Sequence, residues 1–211
     1  SPLHHLARLV EPELRLRAGD AKGAAQAARA VLERYPALPY RDIVARVLGR
    51  LAGDFNAAAS QDEMREFGNS VGLWPPFPDS VEAMAYLRRH FKLVAITNVD
   101  NRSFARTHLL LGEPFHAVVT AEDVGSYKPA HENFHYAFER LAEMAVPRDK
   151  ILHVAQSLYH DIAPARTLGL ANVWVDRQTG RGSGMTPPTD AAPDLRVATM
   201  EELAALHRAE G

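Results

Sequence analysis

The stretch Leu93–Asn101, LVAITNVDN, decides the fold of this protein. Four apolar residues lead into Thr97 and Asn98 at the point where a buried strand would end. A short apolar run bounded by polar residues is typical of a strand in the interior of a parallel sheet. A glycine turn could have ended such a strand, whereas this chain presents a hydroxyl and an amide there. Polar side chains in that position predict a binding site beyond the end of the strand.

Short apolar runs of the same kind alternate with amphipathic helical segments through the rest of the chain. The runs are Lys92–Thr97, His116–Thr120, Ile151–Ala155, Asn172–Asp176 and, more weakly, Leu195–Ala198. The helical segments begin near Val81, Ser103, Glu132, Asp161 and Met200. Strands that alternate with helices predict a parallel sheet whose crossover helices cover both faces.

Several of these helices carry start or stop signals. Asp79 with Glu82, and Thr199 with Glu202, have the spacing of a capping box, in which two side chains satisfy the first backbone N–H groups of a helix. Gly169 fits the position just after a helix end. These signals support the helical segments that follow or precede them.

The chain before this alternating region has a different, purely helical rhythm. From Leu3 to about Phe67 the sequence is rich in Ala, Arg and Leu, and apolar residues recur at steps of three and four to form a stripe made of Ile43, Val44, Val47, Leu48 and Leu51. We therefore predict an α/β fold in which an all-helical domain over residues 1–72 precedes a Rossmann-like parallel sheet core over residues 73–211.

Charge and composition limit the partners that the 211 residues could bind. Hydrophobic residues make up 46% of the chain and the formal net charge is −2, which gives no electrostatic basis for binding nucleic acid or acidic membranes. The chain has no cysteine, so disulfides and thiolate chemistry are excluded. No apolar run approaches the ~18 residues of a membrane span, and no signal-peptide pattern opens the sequence. We predict a cytoplasmic protein whose partner is a small molecule.

The residues that follow each predicted strand are polar and of complementary kinds. Thr97 and Asn98 follow the first, Lys128 in GSYKP lies after the second, and Ser157 and Asp161 come after the third. Because ligands collect beyond the carboxyl ends of parallel strands, these groups predict a site for a small anion. Each has a structural alternative, since a hydroxyl or amide can cap a turn, a lysine can be a solvated charge, and a carboxylate can lie at a helix start. Their order along successive strands favours the site.

His153 and His160 are the two histidines nearest to this group of residues. Their spacing does not match a metal-binding motif such as HExxH. We therefore predict structural roles for both.

Three segments resemble the second, third and fourth motifs of the haloacid dehalogenase superfamily. They are AITNVDN, VVTAEDVGSYKPAHENFHYAF and ILHVAQSLYHDIAPARTLGL. WPPFPDS and AEDVGSYKP are similar to the type II haloacid dehalogenase-like branch in particular, and the likeness extends from about Leu73 to Val175. The helical zone before it resembles, more weakly, the cap domain of such proteins.

The resemblance implies a mechanism and a set of roles. An aspartate on the first strand attacks the substrate, and water then hydrolyses the covalent ester. Thr97 with Asn98 would bind the anionic group, Lys128 would neutralise the nucleophile and the anion, and Asp161 would orient Lys128 or the water. Dehalogenases of this branch guide water with residues in the turn where Ser157 lies, which makes Ser157 a candidate for that role. We also expect Tyr40 or Trp74 to shape the pocket.

The aspartate nucleophile that the resemblance implies is not found in the sequence. No apolar strand ending in an Asp-x-x-Gly-Thr type motif precedes the helical zone, and Asp20 and Asp42 both lie in helical contexts. We expect a natural N-terminal segment to supply the missing strand. The alternative is a protein that has lost catalysis and binds a small anion.

Gln156 bears on the type of reaction. The phosphatase branch usually carries an acidic residue near this position to hold magnesium, and a neutral amide is a poor substitute for a carboxylate ligand. The sequence therefore favours hydrolysis of the carbon–halogen bond of a short 2-haloalkanoate, with no cofactor and no metal. A magnesium-dependent phosphatase acting on a small phosphomonoester is the competing enzyme, and homodimerisation stays open.

Overall fold

The first elements that the structure describes are two packed helices and a tight turn. A computed structural model of the protein describes Val31, residues 38–177 and residues 189–210. Within them the first elements are helix α1 (Tyr40–Asp54), helix α2 (Gln61–Asn69) and a 3-10 turn (Ser70–Leu73). The earlier part of the predicted helical zone, including Asp20, lies outside the described residues. No helix in the described part of the chain is long and apolar enough to cross a membrane.

Helices α1 and α2 cross at very close range. A Cβ atom built on Gly68 would lie 2.2 Å from the backbone oxygen of Arg41, so only glycine permits this approach. Ile43 and Leu48, two members of the predicted apolar stripe of α1, are buried. The stripe is therefore a packing surface, as its spacing predicts.

The remainder of the chain alternates strands with helices, as predicted. The elements are α3 (Ser80–Arg88), β1 (Val94–Thr97), α4 (Asn101–Leu110), β2 (Ala117–Thr120), α5 (Ala121–Val124), α6 (Glu132–Glu143), a 3-10 turn (Arg148–Lys150), β3 (Leu152–Ala155), a π-helical turn (Leu158–Ile162), α7 (Ala163–Thr167), β4 (Ala171–Val175), β5 (Leu195–Val197) and α8 (Met200–Glu210). All five predicted strands are present, each shifted by at most two residues. The short helix α5 has no counterpart among the predicted elements.

All strand pairs in the described residues are parallel, which confirms the α/β class. Strand β1 pairs with β2, and β3 pairs with β4, which pairs in turn with β5. No strand within residues 38–177 or 189–210 joins β1 to β3. Helix α6 nevertheless packs against both sheets, because Phe134 belongs to a buried cluster that Ile96 of β1 and Ile151, just before β3, both contact. Lys128 Nζ contacts both the Ile96 carbonyl of β1 and Asp161, which follows β3, so the carboxyl ends of these two strands lie on one side of the molecule.

The predicted helix caps are only partly correct. Thr199 accepts a hydrogen bond from Glu202 N at 3.0 Å, and Gly169 has a φ of 72° at the end of α7, both as predicted. The capping role predicted for Asp79 is wrong, since its side chain makes no cap hydrogen bond. The Asp79 carboxylate instead accepts hydrogen bonds from the Arg177 guanidinium at 2.8 and 3.2 Å and from Met200 N at 2.8 Å. A carboxylate that can pair with a cation gains more there than at a single backbone N–H group.

Candidate active site

Lys128 and Asp161 form a buried ion pair at the carboxyl edge of the strands. Lys128 Nζ donates to Asp161 Oδ1 at 2.6 Å and to the Ile96 backbone oxygen at 2.8 Å. The two side chains are 10% and 8% exposed. A charged pair that is largely removed from water is stable only with close geometry of this kind. The structure thus brings together two of the predicted site residues.

The Ile96 carbonyl that binds Lys128 lies on the edge of β1 that does not face β2. His116 N donates to Leu93 O at 2.7 Å, on the β2 side. Successive residues of a strand direct their backbone groups alternately to its two sides. The Ile96 carbonyl therefore points away from β2, and the Lys128 ammonium donates a hydrogen bond to it.

Asn98 holds the backbone of Lys128. Its Oδ1 accepts from Lys128 N at 2.8 Å, and its Nδ2 donates to Lys128 O at 3.2 Å. The Thr97 hydroxyl accepts from Val99 N at 3.1 Å, which is the local turn that such residues often form. The polar end of β1 therefore positions the lysine loop, and direct anion binding by Thr97 and Asn98 stays a prediction.

Asp161 is aimed at Lys128 by the π-helical turn. The backbone N–H groups of Asp161 and Ile162 both donate to Ser157 O at 3.1 Å, and such wide turns are frequent at functional sites. Burial by itself would raise the pKa of Asp161, but the positive charge of Lys128 and the contact with His153 lower that pKa to about 2. Asp161 is therefore ionised at neutral pH.

Ser157 closes the same turn from its N-terminal side. Its Oγ accepts from His160 N at 3.0 Å and lies 3.1 Å from His160 Nδ1. Ser157 thus begins the turn that carries Asp161, four residues before it. A role for Ser157 in guiding water stays a prediction.

His153 lies beside the ion pair. Its Nε2 is 3.5 Å from Asp161 Oδ1, the same oxygen that accepts from Lys128. The ring of His153 also contacts the ring of Phe134, with centroids 5.2 Å apart. The sequence predicts a structural role for this histidine, because its spacing from His160 does not match a metal-binding motif. Its position two residues before the end of a strand that leads into the site is the signal that could have found it.

Asp100 is a further residue at this edge that sequence reasoning does not identify. It is 1% exposed and caps α4 by accepting from Ser103 N at 3.0 Å. It also accepts from Arg41 N at 3.1 Å and from Arg41 Nη1 at 2.7 Å, so it joins α1 to the loop after β1. Burial would raise the pKa of Asp100, but hydrogen bonds from Ser103 and Arg41 outweigh it and lower that pKa. Helix α1 is thus attached next to the site.

Tyr40 and Trp74 occupy different surroundings. Tyr40 is the first residue of α1, beside Arg41, and burial raises the pKa of its hydroxyl. Trp74 is 46% exposed and donates from Nε1 to Ser70 Oγ at 3.4 Å. Among the described residues no hydrogen bond joins either side chain to Lys128 or Asp161. Their roles in shaping a pocket stay predictions.

The described residues do not fit a magnesium site. No group of three or more His, Asp or Glu side chains in this part of the chain could hold a metal ion. Asp161 is the one carboxylate in contact with Lys128 among these residues, and magnesium requires several oxygen ligands. Glu122 and Asp123, which also follow a strand, accept hydrogen bonds from Asn101 at 2.9 and 2.7 Å instead.

The chain belongs to the haloacid dehalogenase-like hydrolases, whose family model matches residues 14–169. Solved structures with the same fold include the L-2-haloacid dehalogenase of Xanthobacter autotrophicus with chloropropionic acid covalently bound, at 16% identity and a TM-score of 0.79, covering 100% of this chain and 93% of that one. A HAD-hydrolase of Bacillus subtilis bound to magnesium is similar at 19% identity and a TM-score of 0.76, covering 98% and 91%. At these identities the likeness shows the fold.

A curated relative points to a different member of the superfamily. The phosphoserine phosphatase of Thermus thermophilus is 28% identical over 170 residues, which are 78% of this chain and 64% of the relative. The chain thus spans less than two thirds of that relative's length. Dehalogenases and phosphatases are therefore both among the similar proteins.

Proposed function

We propose that this hydrolase removes the halogen from a short 2-haloalkanoate through an aspartyl-ester intermediate. The observation that carries the proposal is the Lys128 ammonium. It is buried at the carboxyl edge of the strands, and the described residues accept only some of its hydrogen bonds. An ammonium has three N–H donors, and Ile96 O and Asp161 Oδ1 take two. The third is available to the carboxylates of a nucleophile and a substrate.

The nucleophilic aspartate is proposed to come from a strand between β1 and β3. The Ile96 carbonyl opens on that side of β1, and α6 packs beneath both sheets. A parallel strand in this position would end beside Lys128. Its backbone groups would pair with strand edges that no strand of residues 38–177 or 189–210 covers, and unpaired edges are costly in a buried sheet.

The proposed reaction has two displacements. The aspartate carboxylate attacks C2 of the substrate, the carbon–halogen bond breaks, and the halide leaves with the bonding electrons. Water then attacks the carbonyl carbon of the ester, which releases the 2-hydroxyalkanoate, a proton and the regenerated carboxylate. Lys128 would hold the substrate carboxylate near Thr97 and Asn98. Asp161 Oδ2, which accepts no hydrogen bond from the described residues, would orient the water.

The second candidate is a phosphatase acting on a small phosphomonoester. The phosphoserine phosphatase of Thermus thermophilus favours it, as does the magnesium-bound hydrolase with the same fold. The side chains that would have to bind magnesium argue against a phosphatase, because Asp161 is ion-paired with Lys128 and the nearby turn carries Gln156. An inactive anion-binding protein is the remaining alternative.

A parallel assay of the full-length protein separates these candidates. Chloride release from 2-chloropropionate is measured with EDTA present, and phosphate release from phosphoserine is measured with and without magnesium. We expect chloride release that EDTA does not affect. Magnesium-dependent phosphate release without chloride release would establish the phosphatase instead, and neither product would favour the inactive protein.

Replacement of Lys128 tests the residue on which the proposal depends. We expect Lys128→Ala to lower kcat/KM for chloride release by at least ~10³-fold, because it removes the buried cation that is proposed to face both anions. The fold is checked by circular dichroism. Lys150→Ala is the matched control, since Lys150 is exposed on a short turn, and it should retain full activity. Near-normal turnover by Lys128→Ala would remove Lys128 from the site.

A further inference from the structure

His153 has a buried nitrogen without a hydrogen-bond partner among the described residues. Its side chain is 11% exposed, and Nε2 makes no hydrogen bond with any described residue. A buried polar atom that stays unpaired costs free energy, so its presence calls for a physical reason. The atom that Nε2 approaches is Asp161 Oδ1, at 3.5 Å, which is just beyond an ordinary hydrogen bond.

Two potential donors therefore converge on one carboxylate oxygen. Lys128 Nζ lies 2.6 Å from Asp161 Oδ1 and donates to it. His153 Nε2 lies farther away, at 3.5 Å from the same oxygen. A substrate carboxylate that accepts from the third N–H group of Lys128 also attracts the ammonium and draws it away from Asp161. As the distance between Lys128 and Asp161 increases, the Asp161 carboxylate would lose the hydrogen-bond donor that fixes its orientation, unless a second donor replaces Lys128.

We propose that His153 is a positioning residue that takes over the Asp161 carboxylate when Lys128 turns toward the reacting anions. In the proposed reaction, on which this inference rests for its turnover part, His153 Nε2–H donates to Oδ1 during the ester stage. Oδ2 then stays directed at the attacking water. His153 itself touches neither the substrate nor the ester.

The surroundings of the Asp161 carboxylate leave His153 as the natural replacement. The charged or titratable groups of the described residues that contact it are Lys128, from the loop before α6, and His153, from β3. Helix α6 contributes the apolar ring of Phe134, and β1 contributes the Ile96 carbonyl, which accepts from Lys128. Neither can donate a hydrogen bond to a carboxylate.

The first test needs no turnover. Nitrogen-15 NMR of the full-length wild-type protein distinguishes a protonated from an unprotonated imidazole nitrogen. We expect His153 Nε2 to carry a proton at neutral pH, because only an N–H group can serve Asp161. An unprotonated Nε2 at neutral pH would overturn the proposal, whatever the enzyme's substrate is.

The second test separates the two chemical steps with substitutions of His153. His153→Leu keeps the bulk of the side chain but has no hydrogen-bond donor. We expect kcat for chloride release from 2-chloropropionate to fall about tenfold and KM to fall with it. The ester should then accumulate and be visible in the intact-protein mass spectrum. His153→Gln restores an N–H donor and should recover most of kcat and remove the accumulated ester. The control His135→Leu changes an exposed histidine of α6 and should behave as wild type.

Other outcomes count against the proposal. A slow His153→Leu without ester accumulation would indicate general damage to the site, and a His153→Gln as slow as His153→Leu would show that the donor is irrelevant. If the wild type forms no ester and releases no chloride, the proposed function fails, while the NMR result still decides the state of His153.

Discussion

At the scale of single residues, the site depends on charges that are buried together. Lys128 and Asp161 stabilise each other, and Asn98 fixes the lysine backbone with two hydrogen bonds. The order of residues along the chain predicts that Lys128 and Asp161 share one edge of the sheet. It does not predict His153 or Asp100, because their contacts come from neighbours that lie close only after packing.

Breaking the buried pair has a measurable cost. We expect Asp161→Asn to lower the free energy of unfolding at pH 7 by about 3 kcal/mol, since it leaves the Lys128 ammonium buried without a counter-charge. Asp62→Asn is the control, because Asp62 pairs with Arg65 on the surface, where both side chains are more than 70% exposed and a pair contributes less than about 1 kcal/mol. Urea denaturation measures both. Equal effects for the two variants would contradict the buried pair.

At the scale of elements, the attachment of α1 and α2 to the site depends on the close approach of the two helix backbones. Helix α2 approaches α1 so closely at Gly68 that the Arg41 carbonyl fills the place of a side chain. Arg41 in turn binds Asp100, which begins α4. Arg41 therefore links the contact between the two helices to the edge of the site.

Gly68 provides the prediction at this scale. We expect Gly68→Ala to destabilise the protein by about 1 to 3 kcal/mol, because the added methyl group forces the helices apart. Gly53→Ala, also helical, is the matched control, since nothing lies within 4 Å of its added Cβ and alanine favours helix by up to ~1 kcal/mol. Thermal unfolding compares the two. A neutral Gly68→Ala would disprove the close crossing.

At the scale of the whole molecule, three acidic residues in separate regions link the fold to pH. Asp79, Asp100 and Asp161 each have a lowered pKa. In each, burial alone would raise the pKa, but hydrogen bonds or neighbouring positive charge outweigh it. A carboxyl group whose pKa is lowered by folding stabilises the folded state only while it is ionised.

The sign of the pH dependence follows from these shifts. All three contributions are fully present above the unfolded pKa of about 4, and they are lost as the pH falls, for Asp161 through its folded pKa of about 2. We expect acid unfolding to begin below about pH 4 and to steepen toward pH 2. Circular dichroism during an acid titration measures it. Stability that is constant from pH 5 to pH 2 would contradict the lowered pKa values.

The amino-acid sequence by itself determined the strands, their parallel arrangement and the edge that Lys128 and Asp161 share. These features depend on local periodicity and on the order of elements along the chain, both of which are written in the sequence. Only the tertiary structure decided that Lys128 binds the Ile96 carbonyl, that Asp79 pairs with Arg177 and that His153 approaches Asp161. Such contacts join side chains that are far apart in sequence or whose facing depends on packing, so no local pattern of residues specifies them.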